Sequence, residues 1–197
     1  TQRLLRMLAA VNGQMWNASQ IGQSLGLSYH TVNGYMDYLI GAFLIRRLPL
    51  MHANVRKRLV KSPKVYWRDT GLLHALRGVA DDRDLLSQPW VGASWEGFII
   101  EQIISTLQQQ GRAFEAGYLR TTDQYEIDLV LDFAKERWAI EVKLTASPSA
   151  GDMKRLNKAA DMIDADRRFL VSQARDVIES DKRTICNLPW MLQRLQA

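Results

Sequence analysis

Two stretches near the middle of the chain carry residue types that could act on a phosphodiester: Glu126-Ile127-Asp128-Leu129-Val130-Leu131-Asp132 and Trp138-Ala139-Ile140-Glu141-Val142-Lys143. Both read as strands, and the polar turn Ala134-Lys135-Glu136-Arg137 between them makes a hairpin. Side chains alternate across a strand, so Glu141 and Lys143 share one face and Ile140 and Val142 the other. In the first strand Ile127, Leu129 and Leu131 fall on one face, and Glu126, Asp128, Val130 and Asp132 on the other. Hydrolysis of a phosphodiester needs a water made nucleophilic near neutral pH, charge stabilisation at phosphorus and help for the leaving oxygen. Mg²⁺ or Mn²⁺ held by two or three oxygen ligands, with water positions open, supplies all three. Asp128 and Glu141 would provide carboxylates, the Val142 carbonyl a further oxygen, and Lys143 a charge beside the attacking water or the reacting phosphorus. The spacing alone is not specific, because an Asp on one strand and Glu-x-Lys on its partner also makes an ordinary surface ion pair.

The elements around this pair set the rest of the expectation. Residues 92–110 read as a long helix ending at Gly111. At about 100° per residue, Trp95, Ile99, Ile100, Ile103, Ile104 and Leu107 form one apolar stripe with Glu96 near its centre. A carboxylate there is costly unless it is paired or binds a metal, which makes Glu96 a further candidate ligand, direct or through water. The alternative is that Glu96 sits wet in the first turn, favoured by the helix dipole. Glu101 falls on the opposite side and is expected to face solvent. Strands are expected at 113–120, 124–133, 139–144 and 168–172, helices at 69–77, 152–164 and 189–195, and a loop at 79–89. That order predicts an α/β sandwich around a mixed sheet.

The N-terminal third reads differently. Residues 3–11 form an amphipathic helix, Asn17 or Ser19 could cap a second one ending at Gly26, and Ser28 could cap a third from Tyr29 to about Ile40. Two short helices joined by a Gly-containing turn fit a helix-turn-helix, whose third helix would show Ser28, Tyr29, His30, Thr31, Asn33 and Asp37 to a groove. Residues 43–50 and 65–67 are β-prone and bracket a basic segment, so a hairpin with a basic loop follows: a winged helix. Arg56, Lys57, Arg58, Lys61 and Lys64 of that wing would contact backbone phosphates. The alternative is that these bases form a solvated face or dock on an acidic protein surface; the charge asymmetry favours nucleic acid.

Charge supports two parts. Residues 1–68 hold ten Lys/Arg and one acid, Asp37, for a balance of +9, whereas residues 69–197 sum to −4. Such asymmetry points to a polyanionic partner, DNA foremost, for the basic part. The expected division is residues 1–70, a winged helix-turn-helix domain, and residues 71–197, a sheet-based domain. The apolar fraction of 47% and charged fraction of 24% are those of an ordinary globular protein. No apolar run approaches the length of a membrane span, and the N-terminus lacks a signal-peptide pattern. Cys186 is the single cysteine, which excludes an internal disulfide and fits a reducing cytoplasm; it reads as a packing residue.

Taken together, Glu96, Asp128 and Glu141-Val142-Lys143 resemble the PD-(D/E)XK restriction-endonuclease-like superfamily, although Ile127 stands where the superfamily's name places proline. The whole chain resembles the C-terminal half of a prokaryotic family of AAA-type ATPases, in which the motor is followed by a winged helix and a restriction-endonuclease-like domain of unresolved function. The matching strings are Leu27-Ser28 with Thr31-Val32, Lys61-Ser62-Pro63-Lys64-Val65-Tyr66, Asp69-Thr70-Gly71-Leu72, Gly92 with Glu96, Glu126-Ile127-Asp128 and Ile140-Glu141-Val142-Lys143. The resemblance implies an α/β fold of winged helix plus nuclease-like sandwich, with Asp128, Glu141, Lys143 and Glu96 as catalytic residues. Mg²⁺ or Mn²⁺ would lie on Asp128, Glu141, Val142 and Glu96, and the N-terminal unit would bind DNA. It also implies an upstream ATPase. The chain has no Gly-x-x-x-x-Gly-Lys-Ser/Thr loop, so ATP is expected only in that missing upstream domain and the chain reads as a fragment or separated domain pair. The sequence permits an oligomer without specifying one. Three functions stay open: a metal-dependent deoxyribonuclease, a non-catalytic DNA- or protein-docking module, and a regulator of the missing motor.

Overall fold

The computed structural model describes residues 2–51 and 62–196. By its packing the chain divides into two compact units: the described residues of Thr1–Leu48 and Ser62–Phe98, and those of Pro49–Lys61 and Ile99–Ala197. Residues 71–98, assigned from sequence to the second domain, therefore pack with the first.

The first unit contains α1 (Gln2–Ala10), β1 (Gln14–Met15), α2 (Ala18–Leu25), α3 (Tyr29–Gly41), β2 (Ile45–Leu48), β3 (Lys64–Trp67), α4 (Thr70–Arg77), α5 (Asp82–Ser87) and the start of α6 (Val91–Gln109). Its helix boundaries follow local chemistry. The Asn17 side chain accepts from the Gln20 amide to start α2, and Gly26 ends it at φ +68°, a left-handed conformation that glycine adopts without a Cβ penalty. Ser28 caps α3 by accepting from the Thr31 amide. Leu8, Val32, Met36, Trp67 and Leu73 are central members of its core. The strand order is β1-β3-β2, all antiparallel. The two-residue β1, absent from the sequence expectation, makes β3 central, and all four β3 residues are buried. The 79–89 segment is also more ordered than expected: Asp81 accepts from the Asp84 amide and starts α5.

The second unit is a six-stranded mixed sheet of order β4-β5-β6-β7-β9-β8. Its elements are β4 (Glu115–Arg120), β5 (Glu126–Phe133), β6 (Glu136–Val142), α7 (Ala150–Asp161), β7 (Arg167–Ser172), β8 (Ile178–Ser180), β9 (Arg183–Asn187) and α8 (Leu188–Gln196). The strands β4, β5 and β6 pair antiparallel, while β6, β7 and β9 run parallel. α7 forms the crossover between β6 and β7, as a parallel pair requires. Leu156, Ala159 and Ala160 of α7 pack with Val130, Ala139 and Leu170 on one face of the sheet. On the other face Trp138, Phe169 and Trp190 of α8 make successive ring contacts at 4.9 and 6.4 Å. The sequence did not mark the β8–β9 pair.

One irregularity bears on the site. Gly117 pairs with Val130, but Leu119 pairs with Ile127, so Asp128 and Leu129 together lie opposite the single residue Tyr118. This is a β-bulge, a device that re-aims side chains. Its cause is visible in the backbone of Tyr118, which turns to residues 49–51: its N–H donates to the Pro49 carbonyl at 2.9 Å, and its carbonyl accepts from the Met51 amide at 2.8 Å. The bulge breaks the strict alternation expected of β5, and Ile127 and Val130 join the same core. Gly117 permits this close approach, since a Cβ there would stand 2.7 Å from the Pro49 carbonyl oxygen. Gly117→Ala is expected to cost about 1–3 kcal/mol in denaturant unfolding, and to lower amide-exchange protection at Tyr118 and Asp128 before the rest of the sheet.

Candidate functional site

Asp128, Glu141, Val142 and Lys143 all belong to the second unit. Asp128 sits in the bulge of β5 and is 6% exposed. A buried carboxylate needs compensating hydrogen bonds, and its Oδ2 accepts from the Val142 backbone N–H at 2.9 Å. β6 pairs with β5 as far as Ile140 and with β7 as far as Val142. The Asp128 side chain thus takes up a β6 amide just past the last β5–β6 pair. Glu141 and Lys143 share a face, as their spacing predicts, and Lys143 Nζ lies 2.6 Å from Glu141 Oε1.

The charges are coupled. Burial pushes the Lys143 ammonium toward losing its proton, but the Glu141 carboxylate, through its charge and hydrogen bond, and then Asp128 and Asp152 outweigh it. The result is a pKa above the ordinary 10.5. Three carboxylates therefore act on one ammonium, and one of them, Asp152, is also ion-paired with Arg155 at 2.5 Å. Asp152 is the member that sequence reasoning missed. Its signal was present as Ser149-x-x-Asp152, a capping box: Asp152 Oδ2 accepts from the Ser149 amide and hydroxyl at 2.9 and 2.7 Å. The Ser149 hydroxyl and amide, with Arg155, hold its carboxyl below the ordinary 3.8 despite an opposing effect of burial.

Glu96 belongs to the first unit. Its Oε1 accepts from Lys64 Nζ at 3.0 Å and from the Tyr66 hydroxyl. The expectation that Glu96 is paired rather than wet is met by protein groups: its side chain is 18% exposed and that of Lys64 5%. Lys64, read from sequence as a wing cation for phosphates, is instead buried, because β1 makes β3 an interior strand. Glu101, read as solvent-facing, is 8% exposed and accepts from the Ser105 hydroxyl at 2.9 Å. The helix that carries it is apolar on more than one side, so the single-stripe reading did not apply.

Of the groove-facing candidates, Tyr29, His30 and Thr31 are exposed on α3. Tyr29 and His30 stack at 3.9 Å, and the Thr31 hydroxyl meets that of Ser28 at 2.9 Å. Asn33 accepts from the Trp16 indole N–H at 2.9 Å. Arg56, Lys57, Arg58 and Lys61 lie outside the described residues. Burial, with a smaller contribution from Glu179, pushes the Cys186 thiol up to about 12, the state of an inert packing thiol.

Carboxylate and carbonyl oxygens are hard donors that suit Mg²⁺ or Mn²⁺. Asp128, Glu141 and the Val142 carbonyl fit such an ion by chemistry. Among the described residues, no group of three or more His, Cys, Asp or Glu side chains is placed to hold a metal ion, so water would complete any shell. Among the described residues, no helix is long and apolar enough to cross a membrane.

Two family models match the chain, both described as domains of unknown function: DUF8612 over residues 1–83 and DUF4143 over residues 91–191. The chain is 34% identical over 188 residues to uncharacterized proteins of Mycobacterium bovis and Mycobacterium tuberculosis. Each match covers 92% of this chain and 42% of the relative, so the chain spans less than half the length of the curated relatives it matches. The crystal structure of a protein from Vibrio cholerae superposes with a TM-score of 0.39 at 12% identity, covering 98% of this chain and 49% of that one; a likeness at that level carries no argument.

The raised Lys143 pKa fixes the sign of a pH effect. The stability that the Lys143 charge contributes is fully present below the unfolded value of 10.5 and is lost as pH rises through the higher folded value. Denaturant unfolding of the wild type and of Lys143→Met should differ by up to about 1 kcal/mol, with a constant gap from roughly pH 7 to 10 and a shrinking one above. A gap that instead shrinks between neutrality and the ordinary lysine value would contradict the coupling.

Proposed function

The chain belongs to the DUF4143 family, whose domains are found C-terminal to AAA-type ATPase domains, and we propose that its second unit is a metal-dependent deoxyribonuclease domain of the restriction-endonuclease-like kind. The observation that carries this reading is the placement of buried Asp128 on β5 next to the end of β6, where Glu141 and, just past the strand, Lys143 follow, with Asp128 and Glu141 both acting on the lysine charge. A divalent cation is the natural counter-ion for such a cluster. Asp128, Glu141 and the Val142 carbonyl would hold Mg²⁺ or Mn²⁺, which when bound supplies water activation and charge neutralisation at phosphorus. The chain's own part is to hold these donors in fixed places. The bulge aims Asp128, the Val142 amide orients its carboxylate, and Glu141 keeps Lys143 charged where an anionic phosphate would lie. Glu96 is left out of this ligand set, because its Oε1 already serves Lys64 and Tyr66.

The first unit, in this proposal, is a winged helix that brings DNA to the site. Support comes from the basic sequence of residues 1–68 and from the exposed Tyr29, His30 and Thr31; Lys64 is withdrawn from that surface. An ATPase motor and its ATP belong to the proposed whole protein and not to these residues. A second reading, a non-catalytic module docked to that motor, is favoured by the absence, among the described residues, of a three-carboxylate ligand set and by the close Glu141–Lys143 pair.

Cleavage of single- and double-stranded DNA with Mg²⁺ or Mn²⁺ separates the two. The nuclease reading predicts cleavage that drops at least 100-fold in Glu141→Gln and in Lys143→Met while the circular dichroism spectrum is kept. Folded wild type that cuts neither substrate with either ion favours the docking module. For DNA delivery, Arg56→Ala/Lys57→Ala/Arg58→Ala is expected to weaken binding alike across sequences and to flatten its salt dependence by about 2–3 in log–log slope; an unchanged slope removes those cations from the interface.

A further inference from the structure

Within the second unit, a groove of about 440 Å³ runs between α7 and the outer strands of the sheet, a volume in the range of small-molecule sites. One wall is a single face of α7: Ala150, Met153, Lys154 and Asn157 recur at i, i+3, i+4 and i+7. The floor is made by Ile178 and Ser180 of β8 and by Arg183 and Ile185 of β9. Strand register orders that floor into two rows. Ile178 pairs with Ile185, and Ile185 with Leu170 of β7. Ser180 pairs with Arg183, and Arg183 with Arg168 of β7. The first row is apolar and the second carries two arginines, so the groove has an apolar end and a positive end.

The positive end lacks matching acid. Arg168 and Arg183 are neighbours on one sheet face, and like charges set side by side repel. Arg168 turns to α7, where it donates to Asn157 Oδ1 at 3.2 Å and to Asp161 Oδ1 at 2.5 Å. Its side chain is 12% exposed, whereas that of Asp161 is 65% exposed. Its buried Nε has no hydrogen-bond partner among the described residues. Among the described residues, neither Lys154 nor Arg183 has an ion-pair partner. Glu179 alternates to the other face of β8, where it acts on Cys186. Asp181 and Lys182, in the turn between β8 and β9, offset each other in charge. With its carbonyl oxygen taken by Arg168, Asn157 keeps its amide N–H groups for donation. A guanidinium, an ammonium and an amide thus line one end of the groove. The two oxygens of a carboxylate cannot use all these donors; the three terminal oxygens and double charge of a phosphate can.

We propose that this groove binds a small phosphate monoester, its phosphate held by Lys154, Asn157 and Arg183 and its less polar body laid on Ile178 and Ile185. The proposal does not rest on the nuclease reading, since none of Asp128, Glu141 and Lys143 lines the groove. Arg168 is a positioning residue: it orients Asn157 and adds positive field without reaching the ligand. The test is a titration of the full chain, followed by backbone amide spectra, with inorganic phosphate, adenosine monophosphate and adenosine in metal-free buffer. Both phosphate-bearing probes should shift amides of α7 and β9 saturably, the monophosphate binding more tightly than phosphate. Adenosine should bind at least about tenfold more weakly than its monophosphate. Arg183→Gln should lose about tenfold in affinity for both phosphate-bearing probes. It should also be no less stable to urea than the wild type, because it removes one of two adjacent like charges. Ile178→Ser, at a position 61% exposed, should weaken binding of the monophosphate and leave that of inorganic phosphate unchanged. Adenosine binding as tightly as its monophosphate, shifts confined to other elements, or no shift with either phosphate-bearing probe overturns the proposal. So does a destabilised Arg183→Gln, which would make the arginine a structural residue. A DNA duplex that shifts these amides while both small phosphates leave them unmoved also overturns it, and assigns the face to a nucleic-acid backbone.

Discussion

The hydrogen bond from the Val142 amide to the Asp128 carboxylate is the constraint on which the candidate site depends. A carboxylate that is 6% exposed needs hydrogen-bond donors in place of the water it has lost. Here a backbone N–H at the end of the β5–β6 pairing provides one, and the Lys143 charge lies within electrostatic reach. The bulge brings Asp128 to that donor, and the bulge in turn follows from Tyr118 bonding to Pro49 and Met51 rather than to β5. A chain of backbone choices, starting at Pro49, far before Asp128 in sequence, ends in the aim of one side chain.

The same logic explains why each unit tolerates buried charge. In the first, Glu96 is held by Lys64 and Tyr66 on the central strand β3. Gly97 keeps the helix close to Tyr66, as a Cβ at that position would stand 2.9 Å from the ring. Removing one partner of such a pair strands the other, which is costlier than never having built the pair. In the second, Lys143 meets Glu141, Arg155 meets Asp152 and the Val142 amide meets Asp128.

Much of this was legible from sequence, and the misses have local causes. Alternation placed Glu141 and Lys143 on one face because β6 is regular there. It misjudged β5, where Ile127 and Val130 share a core, because a bulge depends on a distant segment that no periodicity reveals. Ser28 and Gly26 marked their helix ends through cap chemistry carried in the residues themselves. Lys64 was misread as a surface cation since the two-residue β1 that buries β3 is too short to signal itself. Glu101 was misread because its helix is enclosed on more than one side. Asp152 was overlooked although its capping box was in plain view, since that motif speaks of helix starts and not of a neighbouring lysine.

The central claim is that the Asp128–Glu141–Lys143 cluster is a site for a divalent ion. Backbone amide spectra of the full chain during titration with Mg²⁺ test it without reference to turnover. The account predicts saturable shifts at Val142 and Lys143 that vanish in Asp128→Asn, with the remaining spectrum preserved. Amides of β6 that stay unmoved by Mg²⁺, or that move equally in Asp128→Asn, would contradict it.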